Sequence, residues 1–435
     1  MKRLTFILII FYACISSIKA QSETQSFNAD GIKVIFKPTT KNVIDVRVYF
    51  RGGVTNYSAA QAGIENMALG GTVECGTQKY SPTAFKDTSD KYGLKLGSAS
   101  GYDCGFIKLN CISKYFNQGW DLFSEAVKNP IFDADALKIL KERTISINRN
   151  YDGDPNNRLE QLEMQNAFVN TPYTTNPDGY EETIKSFTVD DLKNYYKTLL
   201  NKNRIFIVVV GNVSKQEVFE KILLSFGNIP STPYTPIELQ SPVFNDKKMV
   251  MEKRAIPTNY ISAITNAPDF TSNNYVPFLL GVSGLEGHLY HYLKSQSGLV
   301  INAGALVMSR KMPYLEMYAN GANAQEIMLG ISTKLKEIQN EGLDDEWLQH
   351  LKNIYISDSY IDEQSSSALN YSLGSAEILG NWQYADDLPK LVQMATLQQV
   401  NNALNFYIRG LKWTFLGDTD ALKGFTPPDL NPSVK

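Results

Sequence analysis

Phe132-Asp-Ala-Asp-Ala-Leu-Lys-Ile-Leu-Lys141 and Leu343-Asp-Asp-Glu-Trp-Leu-Gln-His-Leu-Lys352 are weak copies of one another at an offset of 211. A second pair follows in the same order. Thr188-Val-Asp-Asp-Leu192 precedes the apolar run Ile205 to Val210 with Gly211-Asn212, and Thr396-Leu-Gln-Gln-Val400 precedes Lys412-Trp-Thr-Phe-Leu416 with Gly417-Asp418. Two distant pairs at nearly one offset mark a duplicated unit of roughly two hundred residues. Each copy opens with strands, passes through long helices and closes with helix, strand and helix. That order predicts an α+β fold, two related domains each built on a mixed sheet with helices packed on one face.

Pro230, Pro233, Pro236 and Pro242 crowd the stretch between the copies, which favours an extended linker over a packed element. The expected organisation is a signal peptide at 1–20, a first domain at 21–229, a linker at 230–242 and a second domain at 243–435. Within the first domain, Gly31 to Lys37 and Ile44 to Phe50 read as strands. In the second of these Ile44, Val46, Val48 and Phe50 alternate with Asp45, Arg47 and Tyr49, the pattern of a strand with one buried face. Ile205 to Val210 is continuously apolar, as a strand covered on both sides would be. It leads to a helix from Lys215 to Phe226, with Ser214 and Glu217 at capping-box spacing.

With 435 residues, 43% hydrophobic and 20% charged, the chain falls in the ordinary globular range, which excludes wholesale disorder and a multispan membrane protein. Lys2 and Arg3 precede an apolar run and a stretch ending in Ala20, the layout of a secretory signal cleaved after Ala20. Lipidation at Cys14 would need a better context than Phe11-Tyr12-Ala13, and the run is too short to span a membrane. Without Lys2, Arg3 and Lys19 the basic side chains fall from 42 to 39 against 45 acidic ones, so nothing draws the mature chain to nucleic acid or an anionic lipid surface. Its three cysteines, Cys75, Cys104 and Cys111, cannot all pair within the chain. Cys104 and Cys111 flank one apparent strand and point to opposite faces.

Only His288, His291 and His350 can serve a histidine-dependent mechanism. His288-Leu-Tyr-His291, with Glu286 just before it, has the spacing that sets two imidazoles on one side of a helix, where they could ligate zinc. Leu289, Tyr290, Tyr292 and Leu293 read equally as an amphipathic helix, and no third ligand stands nearby. His350 falls within a helix. There is no phosphate-binding loop, no serine-hydrolase elbow and no paired C-x-x-C. Asp152-Gly-Asp154 lacks the rest of a calcium loop and reads as a turn.

Gln61-Ala-Gly-Ile-Glu-Asn-Met-Ala-Leu-Gly-Gly-Thr72, after Arg51-Gly-Gly53, resembles the opening of the insulinase-type M16 metallopeptidase family. The active pattern there is H-x-x-E-H on a helix: two imidazoles hold zinc, and the glutamate acts as base on the zinc-bound water. Here Glu65 falls on the glutamate, while Ala62 and Asn66 fall on the two histidines. A methyl group offers zinc no lone pair, and an amide is a weak ligand. The family's third ligand, a glutamate on a later helix, corresponds to Glu142 by spacing or to Ser146 or Ile147 by the register of Asp154-Pro155. In the second half, Gly287 to Ile301 resembles the segment in which an arginine and a tyrosine help bind the peptide; Ser297 and Ile301 stand in those places.

The resemblance implies the LuxS/MPP-like metallohydrolase fold with its two domains set as a clamshell. It also implies a non-catalytic member with no catalytic residue, no metal ligand and no cofactor, Glu65 being a remnant of the base. Members without the site typically pair with an active relative. The expected partner is therefore another M16-like chain, zinc-bearing, with a peptide or unfolded polypeptide in the cleft between domains. The expected setting is the periplasm or cell envelope of a Gram-negative bacterium. Two alternatives stay open: a zinc endopeptidase with a displaced site built from His288, His291 and Glu286, and a peptide-binding or envelope-assembly protein.

Overall fold

The computed structural model describes residues 23–244, 249–428 and 430; the signal-peptide reading and Cys14 lie outside them. The first half runs β1 (Gln25–Ala29), β2 (Ile32–Pro38), β3 (Val43–Arg51), α1 (Ile64–Glu74), α2 (Pro82–Tyr92), β4 (Lys95–Ser100), β5 (Cys104–Ile112) and α3 (Phe116–Lys128). It continues through α4 (Ala134–Gly153), α5 (Pro155–Ala167), α6 (Glu181–Ser186), α7 (Val189–Leu199), β6 (Ile205–Gly211) and α8 (Lys215–Phe226). The second half runs β7 (Val250–Lys253), β8 (Asn259–Asn266), α9 (Tyr275–Tyr290), β9 (Asn302–Met308), β10 (Tyr314–Gly321) and α10 (Ala324–Glu341). It closes with α11 (Asp345–Asp362), α12 (Ser366–Leu379), α13 (Gln383–Met394), α14 (Leu397–Tyr407) and β11 (Lys412–Gly417). Residues 230–244 between the halves form neither helix nor strand. No helix among the described residues is long and apolar enough to cross a membrane.

The duplication is visible in the strand order. The first sheet is β1-β2-β6-β3-β5-β4 and the second β7-β11-β8-β10-β9. In each, the late strand inserts between two earlier strands, parallel to one (β6 to β2, β11 to β7) and antiparallel to the other (β6 to β3, β11 to β8). The paired sequence segments land on equivalent elements. Asp133 and Asp344 cap α4 and α11, and Thr188 and Thr396 close capping boxes on α7 and α14. Each such cap contributes about 1 kcal/mol. Gly211 and Gly417 end the two late strands with φ of 155° and 154°. A Cβ at Gly211 would sit 2.7 Å from the Ile44 Cα, so the chain must leave the sheet there on a residue without one.

One face of each sheet carries its own half's helices. Val34, Val46, Val48, Ile207 and Val209 join Leu69, Phe123 and Leu140 in the first core. Ile261, Ala263, Trp413 and Phe415 join residues of α9 and α10 in the second. The opposite face is covered too, and by the other half. Ile35, Tyr49, Phe206, Val208 and Val210 pack on Leu373 and Ile378 of α12. Leu159 and Leu162 of α5 pack on Leu416, while Met164, Ala167 and Phe168 pack with Ile264 and Tyr314. The halves thus exchange one helix each.

This exchange corrects the expectation that β3 has a single buried face. Asp45, Arg47 and Tyr49 are 0%, 4% and 1% exposed, and α12 supplies what their polar groups need. Arg47 bonds Asp45 at 3.0 Å and donates to the Ser367 carbonyl at 2.9 Å. Asn370 donates through Nδ2 to the carbonyls of Asp45 and Val208, both at 3.0 Å. The Tyr49 hydroxyl donates back to the Asn370 carbonyl at 3.2 Å. Burial, the largest influence, raises the Asp45 pKa against the opposing pull of Arg47. Glu377 completes the seam, reaching Lys33 at 2.8 Å and Arg51 at 2.6 Å. Alternation thus identified the two faces of β3 but not what covers the second.

Several local readings hold, while Asp152 and Gly153, read as part of a turn, are the last residues of α4. β6 is buried along its whole length. The helix at Lys215–Phe226 starts at Ser214, whose side chain accepts from the Glu217 N–H. Cys111 is buried against the helical core, Cys104 faces the α12 side, and Cys75, Cys104 and Cys111 are all free thiols. Asp154 caps α5 at the turn after α4.

Candidate functional site

The helix bearing the remnant motif starts one residue after Gly63, whose φ of 86° turns the chain into α1. Glu65 is then drawn inward and is fully buried. Its Oε2 accepts from the Tyr195 hydroxyl at 2.6 Å and from Asn56 Nδ2 at 2.9 Å, and its Oε1 from Ser100 at 3.4 Å. Gly105 on β5 makes the room: a Cβ there would stand 2.8 Å from Glu65 Oε1 and 2.4 Å from Leu69. Burial pushes the Glu65 carboxyl up to about 7 in spite of these hydrogen bonds, which pull the other way. The same burial and the facing carboxylate hold the Tyr195 phenol far above its ordinary range.

Ala62 and Asn66 face a loop. The chain at 176–180 crosses so close to Ala62-Gly63 that a Cβ on Gly179 would lie 2.8 Å from the Ala62 carbonyl oxygen. Gly179 also has positive φ, at 80°. The Thr183 hydroxyl donates to the Ala62 carbonyl at 2.7 Å, and Asn66 Nδ2 reaches Asp178 at 3.4 Å. From α4, Asn148 donates to the carbonyls of Asp178 and Gly179 at 3.1 and 3.2 Å. Backbone therefore fills the gap between the start of α1 and α4. Glu142, Ser146 and Ile147 on α4 are exposed.

These residues do not fit zinc. Ala62 is a buried methyl, Asn66 is engaged with Asp178, and Glu65 is turned into a hydrogen-bonded pocket. Among the described residues no group of three His, Cys, Asp or Glu side chains could hold a metal ion. That observation includes the histidine pair. His288 and His291 straddle the point where α9 passes into a π-helical turn, His291–Gln296. His288 lies against the Trp347 ring at 5.4 Å, and burial holds its pKa below the ordinary value, while His291 and Glu286 are exposed. His350 also lies near the Trp347 ring, at 5.9 Å. Ser297 bonds the Tyr292 carbonyl at 2.9 Å, and Ile301 is exposed.

β4 and β9 are each one of the two outer strands of their sheets. The ends of both reach a mainly apolar cleft of about 730 Å³ between the halves. A sheet edge carries unpaired N–H and C=O groups that can pair with an extended chain. Sequence reasoning missed Tyr195, Asn56 and the 176–180 loop. Only the Asp178-Gly179 turn signal marks the last of these in the sequence.

Comparison with known proteins is in line with this geometry. The model of the family described as Peptidase M16 inactive domain matches residues 186–355. The chain is 19% identical over 415 residues to the "Non-peptidase homolog YmxG" of Helicobacter pylori, covering 91% of this chain and 94% of that one. It is 22% identical to the "Zinc protease PqqE" of the same organism over 53% of this chain and 48% of that one. It is 24% identical to a "Probable mitochondrial-processing peptidase subunit beta" of Arabidopsis thaliana over 38% of this chain and 31% of that one. Among solved structures, a peptidase M16 inactive domain from Pseudomonas fluorescens superposes with a TM-score of 0.84 at 18% identity, covering 91% of this chain and 98% of that one.

Proposed function

We propose that this chain, an inactive M16-like protein related to zinc proteases of the PqqE kind, is a non-catalytic subunit of the cell envelope. It pairs with another M16-like chain that bears the zinc and contributes one wall of a chamber that holds a peptide. The observation that carries this reading is the fate of the motif. The base position keeps its carboxyl, buried beneath Tyr195 and Asn56, while the ligand positions are a methyl and an amide closed off by the 176–180 loop. Relatives named as subunits of a processing peptidase support pairing, and the reading of residues 1–20 as a secretory signal supports the envelope.

The test is reconstitution with an M16-like chain from the same source that carries H-x-x-E-H. The expected result is a stable complex on size exclusion, with zinc in the partner and none in this chain. Recovery of this chain as a lone monomer with no such relative bound, or with stoichiometric zinc of its own, would count against the proposal.

A further inference from the structure

The two exchanged helices carry unlike polar seams. On α12 the buried carboxylate of Glu377 lies between two cations, Lys33 at 2.8 Å and Arg51 at 2.6 Å. On α5 the buried carboxyl is Glu163, which is 1% exposed, and among the described residues no ion pair reaches it. Its Oε2 accepts from the Ser262 hydroxyl of β8. Its Oε1 is buried with no hydrogen-bond partner.

The register of the second sheet sets another carboxyl beside it. Glu316 of β10 pairs with Ile264, and Ser262 stands two residues along β8 on the same face. Glu316 and Ser262 are therefore diagonal cross-strand neighbours, within reach of long side chains. α5 covers this face, since Met164 and Phe168 pack with Ile264 and Tyr314. Burial, the largest influence, raises both carboxyls, that of Glu316 to about 7. Glu316 and then Glu160 push Glu163 further up, and Glu160 does the same to Glu316.

The surroundings do not supply the missing charge. Arg310 faces the cluster but is shared, lying 3.5 Å from Glu160 and over the rings of Tyr102 and Tyr314. Glu160 also accepts from the Tyr151 hydroxyl of α4 at 3.0 Å. The Tyr314 hydroxyl donates to Met164 Sδ at 3.5 Å, and Tyr318 shares the face of β10 with Glu316. Lys412 of β11 lies two strands from Glu316, across Ile264. At the start of α5, Arg158 is taken by Glu252 of β7 at 2.6 Å.

We propose that Glu163 and Glu316 form a proton-operated latch between α5 and the second sheet. With protons bound they let the helix seat. When both release their protons to solvent, like charges face each other in a buried seam and α5 lifts. The halves then part along α5 and pivot on α12, where Glu377 keeps its two cations. Neither a partner chain nor a bound ligand is a premise of the latch.

Hydrogen exchange with mass spectrometry on the full mature chain reads α5 and α12 separately. The closed latch holds at least one proton that an open one, with carboxyls near the ordinary 4.5, gives up. Opening therefore becomes easier as pH rises through the window from 4.5 to 7. Corrected for intrinsic exchange rates, the α5 amides should lose protection by about tenfold per pH unit between pH 5 and 7, and those of α12 distinctly less. Glu163→Gln with Glu316→Gln removes both ionisations and should flatten the α5 slope. Either substitution alone should make it shallower, which keeps the test open if the double variant fails to fold. An unchanged α5 slope in the variants, or equal losses on α5 and α12 in the native chain, overturns the proposal.

Discussion

Glu65 is a carboxyl kept in a place that no longer suits its charge. In the unfolded chain it ionises near the ordinary 4.5, in the folded chain near 7. Between those values the folded state holds a proton that the unfolded state has lost, so stability falls as pH rises, by about 3 kcal/mol in all at this group. Glu65→Gln keeps an acceptor for Tyr195 and removes the ionisation. Denaturant unfolding between pH 5 and 8 should show a shallower loss of stability in the variant than in the native chain; identical slopes would contradict the buried position. A second test asks whether the site can be restored. Ala62→His with Asn66→His puts back the imidazoles but sets one against the Gly179 backbone. We expect no stoichiometric zinc by elemental analysis and a loss of about 1–3 kcal/mol from overpacking. The missing imidazoles could be read from Ala62 and Asn66 directly. The closing loop could not, because residues more than a hundred positions away form it and nothing in their own sequence names what they cover.

At the scale of single elements, α12 carries the heaviest polar seam between the halves. Asn370→Ala leaves two buried carbonyls without their donor and should cost about 2–4 kcal/mol in urea unfolding. Gly374→Ala should add about 1–3 kcal/mol of overpacking, because a Cβ there would lie 2.1 Å from the Tyr49 ring. Strands and helices such as β6 and the helix at Lys215–Phe226 were legible because periodicity, capping and propensity are local. The role of α12 was not. Nothing in residues 366–379 names the sheet they cover, and the need for Asn370 is set by backbone carbonyls on strands of the other half. The alternation of β3 carried a misleading signal for the same reason. Asp45 and Arg47 look solvated until the helix that pairs with them is in place.

For the whole molecule, the weak internal repeat was enough to give two related domains, since equivalent caps and strand ends fall at nearly one offset. Which half covers which sheet lies beyond any repeat. The exchange makes the segment at 230–244 a connection rather than a hinge. Cleavage beside Ile237, which is 60% exposed, should leave two fragments that co-elute on size exclusion and melt in one transition. The same cut in an Asn370→Ala background should shift elution toward separate fragments. Two melting transitions in the native nicked chain would show that the exchanged helices do not unite the halves.

Synthesis order gives the exchanged helix a further meaning. Asp45 and Asn370 are 325 positions apart, so at about 5–20 residues per second the ribosome needs on the order of tens of seconds to supply the cover for the first sheet. Until α12 is made the nascent chain presents Tyr49, and later Phe206 and their neighbours, bare, a sticky plate that invites aggregation or a holding chaperone. A fragment truncated ahead of α12 inherits that plate permanently, and the first half should not be recoverable in soluble form without its late-arriving lid.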